Sequence, residues 1–162
     1  LTDEEGNEFP DNDERAVFFA RGVLETVIKL RCAPDIIHCH GWLTSLVPLY
    51  IKKYYYNNPI FRNSKVVYSV YNDVFNNTLN PKFSEKLMLE GINKKDVEVI
   101  KDPTFVNVSK LGINFSDAVI KGAGKINKDI EKYIHTAGKP YLENQPMETY
   151  IDAYNDFYEK VF

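Results

Sequence analysis

The 162-residue chain has two cysteines, Cys32 and Cys39, one tryptophan and three histidines. Two cysteines cannot build a disulfide scaffold, and without one a reducing compartment is the default, so a cytoplasmic setting is expected. No apolar run approaches the ~20 residues that span a bilayer. No basic stretch followed by an apolar one marks a signal peptide. A membrane partner is therefore not expected, and the sequons at Asn76 and Asn107 carry no meaning. The phosphate-binding patterns G-x-G-x-x-G and G-x-x-x-x-G-K-[ST] are both missing. No Ser-His-Asp arrangement can be argued. Four suitable zinc ligands are not in evidence either, so no metal and no cofactor are expected. An excess of positive charge is also lacking: the net charge is −3, which argues against a general nucleic-acid binder.

Apolar residues at 44% and charged residues at 27% are an ordinary globular composition. The charge is unevenly placed. Residues 1–14 hold seven acids and no base, residues 143–162 hold five acids against one lysine, and residues 15–142 carry a net +8. A basic middle suits an anionic ligand, although solvated surface lysines give the same sum.

Residues 1–12, broken by Gly6, Asn7, Pro10 and Asn12, read as an acidic lead-in. Asp13 is a candidate helix cap. Val17, Ala20, Leu24, Val27 and Ile28 then recur at helical spacing, with Phe18 and Phe19 widening the stripe, which predicts a helix over 13–31. The run Asp35-Ile36-Ile37-His38-Cys39 predicts a short strand, 42–56 a helix, and Lys65-Val66-Val67-Tyr68-Ser69-Val70 a second strand. Short helices are expected over 84–91 and 93–99, a longer one over 104–114, and a third strand over 117–120. Helices over 127–137 and 146–161 complete the pattern; the last carries Tyr150, Ile151, Tyr154, Phe157, Tyr158 and Val161 at i, i+3, i+4 spacing. This rhythm is that of an α/β fold with a parallel sheet. Three strands are few for such a sheet. Either one is missed, or 13–162 is the C-terminal part of a larger domain, a view favoured by a chain opening on Leu1.

In open parallel sheets ligands lie beyond the carboxyl ends of the strands. The first such end is His38-Cys39-His40-Gly41-Trp42. Period 2 puts His38 and His40 on one face and Cys39 on the other. His38 reads equally as a satisfied core histidine or as a ligand-facing group, and Trp42 as a ligand contact or as packing at the helix start. The second end, Tyr71-Asn72-Asp73, offers donors and acceptors for sugar hydroxyls, and is also good turn chemistry. The third, Lys121-Gly122-Ala123-Gly124-Lys125, is a two-glycine strand-to-helix turn that could approach a phosphate or simply turn. Tyr54-Tyr55-Tyr56 reads as half-buried packing and His135 as a solvated helix residue.

Several segments, in order over about residues 11–138, resemble a known family. Asp11-Asn12-Asp13-Glu14-Arg15-Ala16-Val17-Phe18-Phe19 is similar to its D-x-x-R-F-x-F helix. Pro34-Asp35-Ile36-Ile37-His38-Cys39-His40-Gly41-Trp42, then Leu46-Val47-Pro48, is similar to P-D-x-x-H-x-H-D-W-H-x-x-L-x-P. Val67 to Asn72 stands where a strand ending T-I-H-N is expected, and Asn107 to Val119 resembles N-x-x-K-x-x-I-x-x-A-D-x-V. These are the patterns of glycosyltransferase family 5, the bacterial glycogen synthases and plant starch synthases.

The resemblance implies a GT-B architecture, in which this chain supplies part of a Rossmann-like parallel sheet with helices on both faces. It implies transfer of glucose from ADP-glucose to an α-1,4-glucan, with the nucleotide sugar and the glucan acceptor as partners. The expected substrate-binding residues are His40, Trp42, Tyr71, Asn72 and Asp73. Gly122, Gly124 and Lys125 form a weaker phosphate candidate, and no catalytic residue is assigned. The departures are Gly41 for the aspartate of H-D-W-H, Leu43 for its second histidine, and Tyr71 for the histidine of T-I-H-N. The K-x-G-G-L loop would precede Leu1, the second domain is absent, and Phe162 reads as an end. An alternative expectation is therefore a catalytically degenerate single-domain relative that binds glucan, nucleotide sugar or a partner protein, self-association included.

Overall fold

A computed structural model describes residues 1–162. Four parallel strands form one sheet in the order β1 (Ile36–His40), β2 (Lys65–Val70), β3 (Ala118–Lys121) and β4 (Tyr141–Leu142). The helices are α1 (Asn12–Lys29), α2 (Leu46–Leu49), α3 (Phe83–Lys86), α4 (Phe105–Phe115), α5 (Lys128–Thr136) and α6 (Tyr150–Val161). Consecutive parallel strands joined by right-handed crossovers place their connecting helices on one face. Accordingly the main core joins Cys39, Val66, Tyr68, Val70 and Val119 to the buried residues of α1, α2, α4 and α5. The alternate strand residues face the other way. There Val67, Ala118 and Ile120 make a small second core with Phe157 of α6. The sheet thus has helices on both faces, and α6 alone covers the second one.

β4 is the strand that periodicity did not reveal, because two residues carry no period. The expected helix over 42–56 is a composite of a 3-10 turn (Trp42–Thr44), α2 and a π turn (Tyr50–Tyr54), with Pro48 in the first turn of α2, where a missing N–H costs little. The two short helices expected between β2 and α4 shrink to α3 and a 3-10 turn at Glu98–Ile100. Gly91, at φ +82°, lies against the Lys53 carbonyl, which a Cβ would approach to 2.6 Å.

Two expectations for α1 are corrected. Asp11, not Asp13, is the residue before the helix. Asp13 is 1% exposed, and its Oδ2 accepts from Lys86 Nζ at 2.6 Å. Phe18 and Phe19 do not widen the buried stripe but stand 81% and 40% exposed, because α2 and the Trp42–Thr44 turn take only the face of Ala16, Ala20 and Leu24. The acidic lead-in folds back on itself through a Thr2–Glu8 bridge. Its Glu8 carboxylate accepts the Asn76 and Asn77 backbone N–H groups, which ties it to the loop after β2. No helix is long and apolar enough to cross a membrane.

Candidate functional site

The ends of β1 and β2 lie side by side, since His40 is in register with Ser69. Beyond them the chain turns sharply at Gly41, whose φ of +73° disfavours any side chain. Space is a second constraint: a Cβ on Gly41 would fall 2.3 Å from Asp73 Oδ2. That oxygen accepts the Trp42 backbone N–H at 3.0 Å. Asp73, just after β2, therefore closes over the turn after β1 and satisfies the first free N–H of the helical run.

His38 and His40 project from the same face, as alternation requires, and their ring centroids lie 3.9 Å apart with the planes tilted by 33°. His40 Nδ1 shares a hydrogen bond with the Tyr71 hydroxyl at 2.9 Å. His38 shares one with Ser69 Oγ through Nε2 and one with the Tyr158 hydroxyl through Nδ1, both at 2.6 Å. Burial, helped by the neighbouring His40, pushes the His38 imidazole down to about 3. Burial also lowers His40. At neutral pH both rings are neutral hydrogen-bonding groups rather than cations. Tyr71 is raised by burial and by the neighbouring Tyr154 hydroxyl. Cys39 points to the opposite face, where burial raises its thiol to about 12, so it shares no site with the two histidines.

Of the residues expected to bind substrate, the structure brings His40, Tyr71, Asn72 and Asp73 to one rim; Tyr71 is half-buried and the other three are exposed. Trp42 departs from that expectation. It is 4% exposed, and its ring packs edge-on against Phe75 at 4.8 Å, so its side chain belongs to the core and only its N–H touches the rim.

The glycine turn is given other work than holding phosphate. A Cβ on Gly122 would come within 2.5 Å of the Tyr71 ring, so this glycine makes room for Tyr71. The start of α5 is already capped by Asn127, which accepts the Asp129 N–H at 2.9 Å, and Asp129 and Glu131 in its first turn oppose an anion. Lys121 is ion-paired with Glu131 and Glu143. Gly124 and Lys125 are exposed, and nothing but Asn144 lies near Gly124.

Sequence reasoning missed Tyr154, Tyr158 and Ser69 as members of this cluster. The signal was present: three tyrosines on the stripe of the last helix bring polar tips to a surface they were expected only to pack against. Leu43, in contrast, is half-buried and lines a cleft with Phe18, Phe19 and Arg15 of α1.

The family described as the starch synthase catalytic domain matches residues 2–142. A glycogen synthase of Chlorobium luteolum is 41% identical over 88 residues, which is 54% of this chain and 18% of that protein. A glycogen synthase of Photobacterium profundum is 32% identical over 117 residues, 72% of this chain and 23% of that protein. The chain thus spans about a fifth of the length of the curated relatives it matches. Among solved structures, the catalytic domain of starch synthase IV from Arabidopsis thaliana, bound to ADP and acarbose, superposes with a TM-score of 0.63. That superposition covers 85% of this chain and 30% of the other at 20% identity, a likeness of fold.

Proposed function

The chain belongs to the starch synthase catalytic-domain family, and from that premise we propose that it works in a glycogen or starch synthase-like glycosyltransferase. Its part is to hold sugar at the ends of β1 and β2 during glucose transfer from ADP-glucose to an α-1,4-glucan. The observation that carries this reading is the meeting of two segments 31 residues apart at one rim: His40 bonded to Tyr71, and Asp73 bonded to the Trp42 N–H. Relatives of the chain are glycogen synthases, and the solved structure of like fold is bound to ADP and acarbose.

The rim suits hydroxyl recognition. A neutral imidazole, a phenol, an amide and a carboxylate offer both donors and acceptors, and a sugar presents both on each hydroxyl. Glycosyl transfer also needs stabilisation of the charge that develops on the departing phosphate. Gly41 and Leu43 supply no hydrogen-bonding side chain for that, and the two histidines are neutral.

The same observation supports the second reading, a relative that binds glucan or nucleotide sugar without transfer. Two measurements separate them. The full-length polypeptide carrying this chain is supplied with labelled ADP-glucose and glycogen, and incorporation is followed alongside binding of each substrate. Incorporation that falls with Tyr71→Phe or His40→Ala supports the transferase. Binding without incorporation supports the second reading, and neither binding nor incorporation refutes both.

A further inference from the structure

Residues 143–162 lie outside the family match, yet they complete the surface beside the rim. α6 carries Tyr150, Tyr154 and Tyr158 at i, i+4 and i+8, one stripe of the helix. The later part of the helix is anchored. Phe157, 7% exposed, seats against Val67, Ala118 and Ile120, and the Tyr158 hydroxyl is tied through His38 to Ser69. Aliphatic side chains would seal this sheet face at lower cost in desolvation. A relay of hydroxyl, imidazole and hydroxyl does something they cannot: each polar group needs one defined partner, so the rotation and register of α6 are fixed.

The first turn of α6 is not sealed. Tyr150 is 41% exposed and Ile151 60%. The Tyr150 ring meets Tyr154 edge-on at 5.6 Å, and Tyr154 lies 5.6 Å from the His38 ring. The His38 ring lies 3.9 Å from that of His40, which is bonded to Tyr71, so Tyr154 and the first turn of α6 stand beside the rim formed by His40, Tyr71 and Asp73. A hexose unit has two apolar C–H faces and a polar edge. An exposed phenol ring held at a fixed angle takes such a face, while the imidazole, amide and carboxylate next to it take the edge.

We propose that the first turn of α6 gives the rim an aromatic subsite for an α-glucan chain, with Tyr150 as the stacking surface and Tyr154 as the wall that orients it. The subsite rests on the glucan-binding reading above and adds to it a segment outside the family match. The test is isothermal titration of the chain with maltoheptaose, with cellohexaose as the control for linkage. Tyr150→Ala is expected to weaken maltoheptaose binding about tenfold, and Tyr150→Phe less than about twofold, since the ring face and not the hydroxyl carries the contact. The unfolding midpoint of both variants is measured alongside, so that a fold defect is recognised. Unchanged affinity in Tyr150→Ala overturns the subsite while leaving the acceptor reading standing. Equal loss in Tyr150→Phe overturns the stacking assignment. No maltoheptaose binding by the unaltered chain overturns the acceptor reading, and the subsite with it.

Discussion

Replacing Gly41 tests the geometry on which the site depends. In Gly41→Ala the backbone must hold an alanine at φ +73° and ψ 174°, a region all but reserved for glycine, at a cost of about 1–2 kcal/mol. The new Cβ would also stand 2.3 Å from Asp73 Oδ2, and the carboxylate must swing away. Its hydrogen bond from the Trp42 N–H goes with it, a further loss of about 1 kcal/mol. Gly41→Ala should therefore cost about 2–3 kcal/mol, and Asp73→Ala alone about 1 kcal/mol. In the double variant the hydrogen bond is lost only once and the clash is gone. It should cost about 2–3 kcal/mol, less than the sum of the singles, with a coupling of about 1 kcal/mol. Urea unfolding of the four proteins measures each figure, with a slope common to all as the check on two-state behaviour. Additivity of the two substitutions to within about 0.3 kcal/mol would refute the reasoning.

Tyr158→Phe removes the hydroxyl that meets His38 Nδ1 and keeps the packing, so it should cost about 1–3 kcal/mol. It should also speed hydrogen exchange in α6 more than in α4, and equal exchange in both helices would contradict the anchoring role. Lys86→Met leaves the Asp13 carboxylate, 1% exposed, without its cation. A loss of about 3 kcal/mol is expected, against a smaller loss when Asp13→Asn is added, and thermal unfolding reads both. The pH dependence follows from His38, whose folded value lies near 3 against 6.5 when unfolded. The unfolded chain binds the proton first as pH falls. Stability due to this group is therefore full above about pH 6.5 and declines as pH drops from there toward 3, with a slope of at most about 1.4 kcal/mol per unit. His38→Gln should flatten that decline in unfolding curves recorded from pH 7 to 5, and an unchanged slope would show that another group sets it.

Val66 to Val70 shows how far a local pattern reaches. Its β-branched run marks a strand, as expected, and the structure then divides its two faces: Val66, Tyr68 and Val70 toward one core, Val67 and Ser69 toward the other side. His38 and His40 share a face by alternation, and the strand ends could be named as the place for a ligand from the α/β pattern alone. Phe18 and Phe19 show the limit. Periodicity says which side chains share a stripe, not how wide a stripe the neighbouring elements will cover, and here they cover only the part bearing alanines and Leu24. Trp42 shows a second limit, since an aromatic at a strand end turns toward the rim or the core according to which space Phe75 leaves it.

Taken by itself, the sequence determines the strands β1 to β3, the main helices around them, the shared face of the two histidines and the family resemblance, because each depends on residues near one another along the chain. Only the tertiary structure decides that Asp73 closes over Gly41, that Gly122 yields its space to Tyr71, and that Tyr158 reaches His38 across 120 residues. Those contacts join segments whose meeting is set by the order of strands in the sheet and by which of its faces α6 covers. Neither is written in a local period, because the free energy that selects them comes from surfaces brought together only when the whole sheet has formed.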